Sequence, residues 1–341
     1  MLRAPRLLAL AAAASMTVAL GACAAPAQGQ DPAASGAGSG PITIEHAFGT
    51  TTIPEKPERV ATVAWANQEV PLALGVVPVG MAAATFGDDD GDGILPWVSE
   101  KLEELGGETP VLFDETDGID FEAVADTDPD VILAAYSGLT QEDYDTLSEI
   151  APVVAFPETA WGTPWREMIE LNSAGMGMAE EGEELIADLD GQISDATAKF
   201  PAIAGKKTMF MTHVDPTDLS EVSYYTTHDT RAMFFEDLGL ATPESVATAS
   251  AGTDLFSGTL STEQADVLDD VDIIVTYGDD ELVSTLEADP LLSQIPAVAK
   301  KAIVNLPGTT PVGTAANPTP LSISWVLEDY LTLISEAANK S

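Results

Sequence analysis

"IDFEAVADTDPDVILAAYSG" occupies residues 119–138, and its pattern occurs a second time as "LSTEQADVLDDVDIIVTYGD" at residues 260–279. Each copy begins with a short acidic segment of helical character. Each then continues through an aspartate into an apolar strand that ends at an aromatic residue, Tyr136 or Tyr277. The repeat predicts two similar lobes of helices and strands.

The spacing inside the two copies agrees, apart from one offset. A glutamate stands 14 residues before the final aromatic in both copies, at Glu122 and Glu263. The aspartate comes one residue later in the second copy (Asp272) than in the first (Asp130).

Outward from the repeat, apolar runs alternate with amphipathic segments, which is typical of an α/β fold with mostly parallel sheets. We predict two Rossmann-like lobes, at residues 42–178 and 201–341, joined by a long connecting helix at residues 179–200. Ligands of open α/β sheets bind beyond the carboxyl ends of the strands. A ligand cleft is therefore predicted between the lobes.

The chain begins with the features of a bacterial lipoprotein signal. Arginines precede an almost wholly apolar run at residues 7–20, which is shorter than the roughly 20 residues that span a bilayer and is typical of a signal-peptide core. "LGAC" at residues 20–23 resembles the lipobox, in which a diacylglycerol is joined to the cysteine. We predict a signal peptide at residues 1–22 and lipidation of Cys23, the only cysteine; the alternative is an ordinary secretory signal with a stray cysteine.

Residues 23–41 consist mainly of Ala, Gly, Ser, Pro and Gln and lack apolar periodicity. Such a segment cannot bury enough surface to offset its ordering entropy, so we predict a flexible tether. The body is then expected at the extracytoplasmic face of the cell membrane, held there only by its lipid.

The charge of the chain excludes some partners. There are 13 Lys and Arg against 56 Asp and Glu, a formal net charge of −43. Binding to phosphate groups depends on clustered basic residues. Nucleic acids and anionic lipid surfaces are therefore not expected as partners.

From about residue 42 to 335, the order and spacing of several segments resemble the helix-hinged periplasmic binding proteins, which deliver iron–siderophore complexes, or in relatives haem or cobalamin, to ABC importers. Besides the first copy of the repeat, the segments are "ITIEHAFGTTTIPEKPERVATV", "LALGVVPVGM", "TAWGTPW", "FFEDLGL" and "NPTPLSISWVLEDY". The siderophore branch fits better than the haem or cobalamin branches, chiefly through "ILAAYSGLTQEDYDTLSEIAP". The resemblance implies a monomeric binding protein that is not an enzyme and has no cofactor, because its ferric siderophore brings its own Fe³⁺.

The same resemblance implies an ABC permease dimer as the partner. In that family, one exposed glutamate on each lobe docks to arginines of the two permease subunits. By position, these would be Glu122 and Glu263, and such a charge pair would steer docking more than add affinity. The alternative is that both are ordinary acids in the first turn of a helix, where the helix dipole favours them.

A ferric siderophore is a bulky shell around a metal that is already coordinated. Its receptor therefore needs aromatic walls and a few donors, not metal ligands. We expect the contacts where strands end, although each aromatic has an alternative place in the core of its lobe. The candidates are Trp65, Asn67, Phe86, Tyr136, Ser137 and Trp161 in the first lobe, and Tyr225, Arg231, Tyr277 and Asn317 in the second.

Arg231 either contacts an anionic group of the ligand or pairs with Asp229 or Asp237. The body contains only two other arginines, Arg59 and Arg166. Relatives that bind strongly anionic siderophores line the cleft with several arginines. Their scarcity here favours a neutral or weakly charged ligand, of hydroxamate or mixed type.

An acidic stretch resembles part of a calcium loop. Asp88, Asp90, Asp92 and Gly93 fall on positions 1, 3, 5 and 6 of an EF-hand. Position 12 is Ser99 instead of a glutamate, and no flanking helix pair is evident. An acidic surface loop is the favoured interpretation, with calcium binding as the alternative.

Two other function classes stay open as alternatives. A receptor for free zinc or manganese needs converging His and carboxylate ligands, but the chain has only His46, His213 and His228, in no metal-binding spacing. An extracellular enzyme is disfavoured, because the sequence has no GxSxG elbow, HExxH motif or phosphate-cradling glycine loop. No metal site of the protein's own is predicted.

Overall fold

The computed structural model of this protein describes residues 40–341, apart from His213, Thr309 and the side chain of Asp280. The predicted signal peptide, Cys23 and most of the predicted tether lie outside the described residues. Among the helices described, none combines the length and the apolar character that a membrane span requires.

The described chain opens with an antiparallel hairpin of β1 (Ile42–His46) and β2 (Gly49–Ile53). The hairpin is not predicted by the alternation of apolar runs. The Thr51 hydroxyl donates to the carbonyl of Val153 at 2.7 Å, which fixes the hairpin to the sheet of the first lobe.

The first lobe is built on a five-stranded sheet in the order β5-β4-β3-β6-β7, and every neighbouring pair is parallel. Most strand residues are buried, as expected where helices cover both faces. The strands are β3 (Val60–Thr62), β4 (Gly80–Ala82), β5 (Val111–Phe113), β6 (Val131–Ala134) and β7 (Val153–Ala155). The helices are α1 (Glu69–Ala73), α2 (Pro96–Leu105), α3 (Phe121–Asp126), α4 (Gln141–Ser148) and α5 (Trp165–Gly175).

Local sequence features explain where some of these helices begin and end. The Thr140 side chain accepts from the backbone N–H of Asp143, and the Asp143 carboxylate accepts from that of Thr140, which forms a capping box at the start of α4. Helix α2 ends at Gly106, whose φ of 64° lies in the left-handed region that glycine adopts without a Cβ clash.

A single long helix, α6 (Ala179–Thr197), leads from the first lobe to the second and buries Leu189 and Ile193 on one stripe. The second lobe has its own five-stranded sheet, in the order β10-β9-β8-β11-β12. Its strands are β8 (Thr208–Met211), β9 (Glu221–Tyr225), β10 (Ser257–Ser261), β11 (Ile273–Tyr277) and β12 (Ile303–Leu306). Its helices are α7 (Thr230–Asp237), α8 (Glu244–Ser250), α9 (Asp280–Ala288), α10 (Pro296–Ala299), α11 (Pro311–Ala315) and α12 (Pro320–Ala338), with 3₁₀ turns at Pro201–Ile203, Thr262–Leu268 and Leu292–Gln294.

The second sheet is mixed. Strands β8, β11 and β12 are parallel, whereas β9 runs antiparallel to β8 and to β10. The predicted α/β fold with two lobes and mostly parallel sheets is confirmed, and the antiparallel pair is the addition that the βα alternation does not reveal.

The sequence repeat is also a repeat of one hydrogen-bonding device. Asp130 accepts from the backbone N–H of Arg59, directly before β3, at 2.9 Å, and Asp272 accepts from that of Lys207, directly before β8, at 2.9 Å. Because β3 pairs with β6 and β8 pairs with β11, each aspartate joins the starts of two adjacent central strands. The one-residue offset between the copies therefore leaves this contact intact.

A buried carboxylate joins the lobes. Glu69, in α1 of the first lobe, is wholly inaccessible to solvent. One of its oxygens accepts from the indole N–H of Trp97 at 2.7 Å, and the other accepts from the backbone N–H of Leu321 at 2.9 Å. Leu321 lies in the first turn of α12, the last helix of the second lobe, so the carboxylate occupies the helix N-terminus where negative charge is favoured.

Replacing Glu69 by Gln should lower the free energy of unfolding by roughly 1–3 kcal/mol. In the wild-type protein, each oxygen of Glu69 accepts from a buried N–H group. The amide nitrogen of Gln cannot accept, so one of these N–H groups would face another donor and stay unpaired. Chemical denaturation followed by circular dichroism measures the loss. Glu142→Gln is the matched control, because Glu142 also lies in the first turn of a helix but is exposed. Equal free energies of unfolding for the two variants would contradict the conclusion that Glu69 stabilises the contact between the lobes.

Candidate functional site

A cavity of about 310 Å³ lies between the lobes, at the carboxyl ends of the parallel strands. In the first lobe its residues follow β3, β4, β6 and β7, and in the second lobe they include the last residue of β11. The wall is mainly aromatic, with a few polar groups. It consists of Trp65, Phe86, Tyr136, Trp161, Arg231, Phe256, Tyr277, Thr314 and Asn317.

Seven of the ten residues predicted as ligand contacts come together in this wall; the exceptions are Asn67, Ser137 and Tyr225. The wall also contains Phe256 and Thr314, which sequence reasoning missed. Phe256 directly precedes the antiparallel strand β10, and Thr314 lies in the short helix α11. Neither element belongs to the βα alternation from which the candidates are drawn.

Asn67 lies behind the wall and is wholly buried. Its amide nitrogen donates to the carbonyls of Val63 (2.9 Å) and Tyr136 (2.8 Å), and its amide oxygen accepts from the backbone N–H of Tyr136 (3.1 Å). These bonds join the end of β3 to the end of β6, so Asn67 positions Tyr136 in the wall. Ser137 is also wholly buried, and its hydroxyl donates to the carbonyl of Ala134 at 2.7 Å.

Arg231 pairs with Asp229 and not with Asp237. The guanidinium donates to both Asp229 oxygens, at 2.8 and 2.6 Å, and lies 3.7 Å from the centroid of the Tyr225 ring. Burial lowers the pKa of Arg231, but the Asp229 carboxylate more than offsets this and holds that pKa well above its ordinary value. The pair leaves this part of the wall with little net charge, and Tyr225 supports it from behind.

Three polar groups join the lobes at the base of the cavity. The Thr230 hydroxyl donates to the Asn317 amide oxygen at 2.7 Å, and the Asn317 amide nitrogen donates to the Tyr136 hydroxyl at 3.4 Å. Tyr136 belongs to the first lobe, and burial raises the pKa of its hydroxyl, which therefore stays protonated. A ligand here would meet neutral hydrogen-bonding groups.

The aromatic wall is held by close packing. The Trp161 ring meets the Tyr136 ring edge-on at 5.4 Å, and Phe86 meets Tyr277 across the lobes at 6.2 Å. A Cβ at Gly138 would lie 2.2 Å from the Trp161 indole nitrogen. Only glycine at this position leaves room for the indole in its present place.

A recess of about 320 Å³ adjoins the cavity and shares Trp65 and Trp161 with it. About half of its lining residues are small, among them the alanines of residues 82–84. Glu115, just after β5, also lines it, and both of its carboxylate oxygens accept from the backbone N–H of Ala64, at 3.1 and 3.0 Å. Burial raises the pKa of the Glu115 carboxyl to about 7, against the opposing effect of the Ala64 hydrogen bond.

The acidic loop, His46 and His228 lie outside this wall. Asp88, Asp90 and Asp92 form the only group of three or more His, Cys, Asp or Glu in the described chain whose ligand atoms lie within 4.8 Å of one another. Asp88 is engaged by the backbone N–H groups of Gly91 (2.8 Å) and Gly93 (2.7 Å). Of the three histidines, His46 lies on the hairpin near Thr51, His228 directly precedes the Asp229 cap of α7, and His213 falls outside the described residues.

The two glutamates of the repeat are exposed, one on each lobe. Glu122 lies in the first turn of α3, and Glu263 lies in the first turn of the 3₁₀ segment Thr262–Leu268. Both elements lead directly into a central strand, β6 or β11. Their surroundings fit the docking interpretation and the first-turn interpretation equally.

Known proteins resemble this chain over most of its length. The Streptococcus pneumoniae protein PiaA, in a crystal structure with ferrichrome, is 45% identical, with a TM-score of 0.85 over 88% of this chain and 99% of PiaA. A periplasmic solute binding protein of Mycobacterium smegmatis is 27% identical, with a TM-score of 0.70 over 88% of this chain and 99% of its own.

A Bacillus subtilis relative is named "Probable siderophore-binding lipoprotein YfiY". It is 29% identical over 238 residues, which are 69% of this chain and 67% of YfiY. Residues 60–310 match the family described as periplasmic binding protein, and they span both sheets. This chain belongs to the periplasmic binding protein family.

Proposed function

We propose that this protein captures a ferric siderophore outside the cytoplasmic membrane and delivers it to an ABC importer. The observation that carries the proposal is the aromatic cavity between the lobes, to which both sheets contribute residues at their strand ends. Two similar proteins support it, because PiaA was crystallised in complex with ferrichrome and YfiY is named as a probable siderophore-binding lipoprotein.

The chemistry of the wall favours a metal that arrives already coordinated. Its residues offer indole, phenyl and phenol rings, amides and hydroxyls, and its one cation is paired with Asp229. Aromatic faces pack against the carbon skeleton of a chelator, while the amide and hydroxyl groups bind its oxygens. Because the Arg231–Asp229 pair is nearly neutral, we propose a chelate without strong negative charge, of the hydroxamate class.

The two lobes, at residues 42–178 and 201–341, close on the chelate about the connecting segment at residues 179–200, which contains α6. We expect a small movement, because the lobes are already joined by Glu69 at α12 and by hydrogen bonds from Trp165 and Arg166 to Asp237. Glu122 and Glu263 make the first contact with the permease. The protein acts by binding and release, with no chemical change in its ligand.

Tryptophan fluorescence tests ligand binding directly. We expect the ferric complex of a trihydroxamate to quench the fluorescence in a saturable titration, because Trp65 and Trp161 line the cavity. Trp161→Leu should weaken binding by roughly tenfold to a hundredfold, as for a buried aromatic anchor. Trp325→Leu is the control, because Trp325 packs against Trp97 at 5.3 Å outside the wall. Saturation by zinc or haem but not by ferric trihydroxamate would overturn the proposal.

Glu122→Ala combined with Glu263→Ala should leave the affinity for the chelate unchanged and abolish iron uptake by cells. The physical reason is loss of the charges that orient the protein on the permease. Uptake of radioactive iron measures the effect. Glu142→Ala with Glu281→Ala removes two other exposed acids from the first turns of helices and should leave uptake intact. Normal uptake by the Glu122/Glu263 double variant would show that docking does not depend on these two residues.

Cys23→Ala should release the protein into the medium of a bacterium that lacks an outer membrane, because the proposed lipid on Cys23 holds the protein at the membrane. Fractionation of cells and medium followed by immunoblotting measures the change, and Ser39→Ala, in the tether, is the control. Retention of the Cys23 variant on the membrane would contradict the anchor and would leave the binding proposal untouched.

A further inference from the structure

The recess beside the cavity is the part of the interlobe region that the aromatic wall does not explain. All of its lining residues belong to the first lobe, and two of them, Trp65 and Trp161, also line the cavity. Together the two spaces fall within the range of ligand pockets, about 300–1,000 Å³. A chelate that rests on the aromatic wall could extend an arm past the two indoles into this recess.

Charge distinguishes the recess from the cavity. Its described lining residues include two acids, Glu115 and Asp143, and no Lys, Arg or His. Asp143 is already engaged, because one of its oxygens accepts from the backbone N–H and from the hydroxyl of Thr140, at 2.9 and 2.7 Å. Glu115 has fewer donors than Asp143, because a single N–H group reaches both of its oxygens.

The negative charge of the Glu115 carboxylate is only partly compensated by its hydrogen bonds. Its two oxygens share a single donor, the N–H of Ala64, although an ionised carboxylate offers about four lone-pair sites. No Lys or Arg in the described part of the chain forms an ion pair with it. Burial of a carboxylate without a positive partner is unfavourable, and the raised pKa of Glu115 reflects this. An ammonium group in the recess would supply the missing charge and donors.

We propose that the recess is a subsite for a protonated amine carried on an arm of the ferric chelate, with Glu115 as its acceptor. The inference rests on the proposed function and narrows the ligand to chelates with a neutral iron-binding shell and a pendant primary amine. The shell lies against the aromatic wall, and the ammonium donates to the Glu115 carboxylate in a charge-assisted hydrogen bond.

Glu115 also has a structural role, which the test must separate from recognition. Ala64 has a φ of 60°, in the left-handed region that is strained for alanine, and the Glu115 carboxylate holds its N–H. Glu115→Gln keeps one oxygen acceptor for that N–H, removes the charge and replaces the other oxygen by an N–H donor. A purely structural role therefore predicts little effect of this substitution on ligand preference.

The test compares two probes: the ferric complex of a linear trihydroxamate that ends in a primary amine, and the same complex with the amine acetylated. In the wild-type protein, calorimetry should give about tenfold or tighter binding of the amine form. Glu115→Gln should remove this preference and leave the affinity for the acetylated form within about twofold.

Asp114→Asn is the matched control, because it removes one negative charge from the adjacent, exposed residue. It should keep the preference, which separates the recess from the general attraction of a chain with a net charge of −43 for a cation. Equal loss in the Asp114 and Glu115 variants would overturn the subsite.

A second variant keeps the proposal testable if Glu115→Gln does not fold. Thr85 is exposed and lines the same recess as Glu115, so Thr85→Lys introduces a competing cation at the recess and should remove the preference, whereas Thr85→Gln should not. Equal wild-type affinity for the amine and acetylated complexes would overturn the subsite while leaving the proposed function standing. Failure of both complexes to bind would overturn the hydroxamate proposal itself.

Discussion

The Glu69 carboxylate holds together parts of the chain that are about 250 residues apart in sequence, because it accepts hydrogen bonds from Trp97 and from the first turn of α12. That helix packs against α1, α2 and α6 as well as against β11 and β12. It therefore contacts helices of the first lobe and the sheet of the second lobe. Asn317, just before the helix, carries this constraint to Tyr136 and Thr230 at the base of the cavity. The geometry of the candidate site thus depends on a buried contact that no ligand would touch.

Electrostatics divide the interlobe region into two parts. The cavity has hydroxyls, amides and the Arg231–Asp229 pair, so its charges largely cancel. The recess has Glu115, whose carboxylate lies in partly buried surroundings with one backbone donor. A strongly acidic protein would attract any cation weakly at its surface. A carboxylate held in an enclosed space beside aromatic residues can select the position of a cation within a ligand.

Both lobes use the same hydrogen bond to align two central strands, although their sheets differ in strand direction. In each, an aspartate at the start of a central strand binds the backbone N–H that precedes the neighbouring strand. This fixes the alignment of the adjacent parallel strands, so that the residues at their carboxyl ends lie at the same edge of the sheet. The second lobe adds the antiparallel strands β9 and β10, and these bring Phe256 to the wall.

The sequence by itself determined the fold class, and it predicted the long connecting helix and seven of the residues that line the cavity. Hydrophobic periodicity and the repeat are local properties, and a parallel sheet places its strand ends, with residues such as Trp65 and Tyr136, at one edge. Only the tertiary structure decided which polar residues face the cavity. Asn67 and Ser137 follow strands just as Trp65 and Tyr136 do, yet their side chains bind backbone groups behind the wall. The choice of Asp229 over Asp237 for Arg231, and the isolation of Glu115, likewise depend on distances between segments that are remote or differently oriented, and no local pattern records such distances.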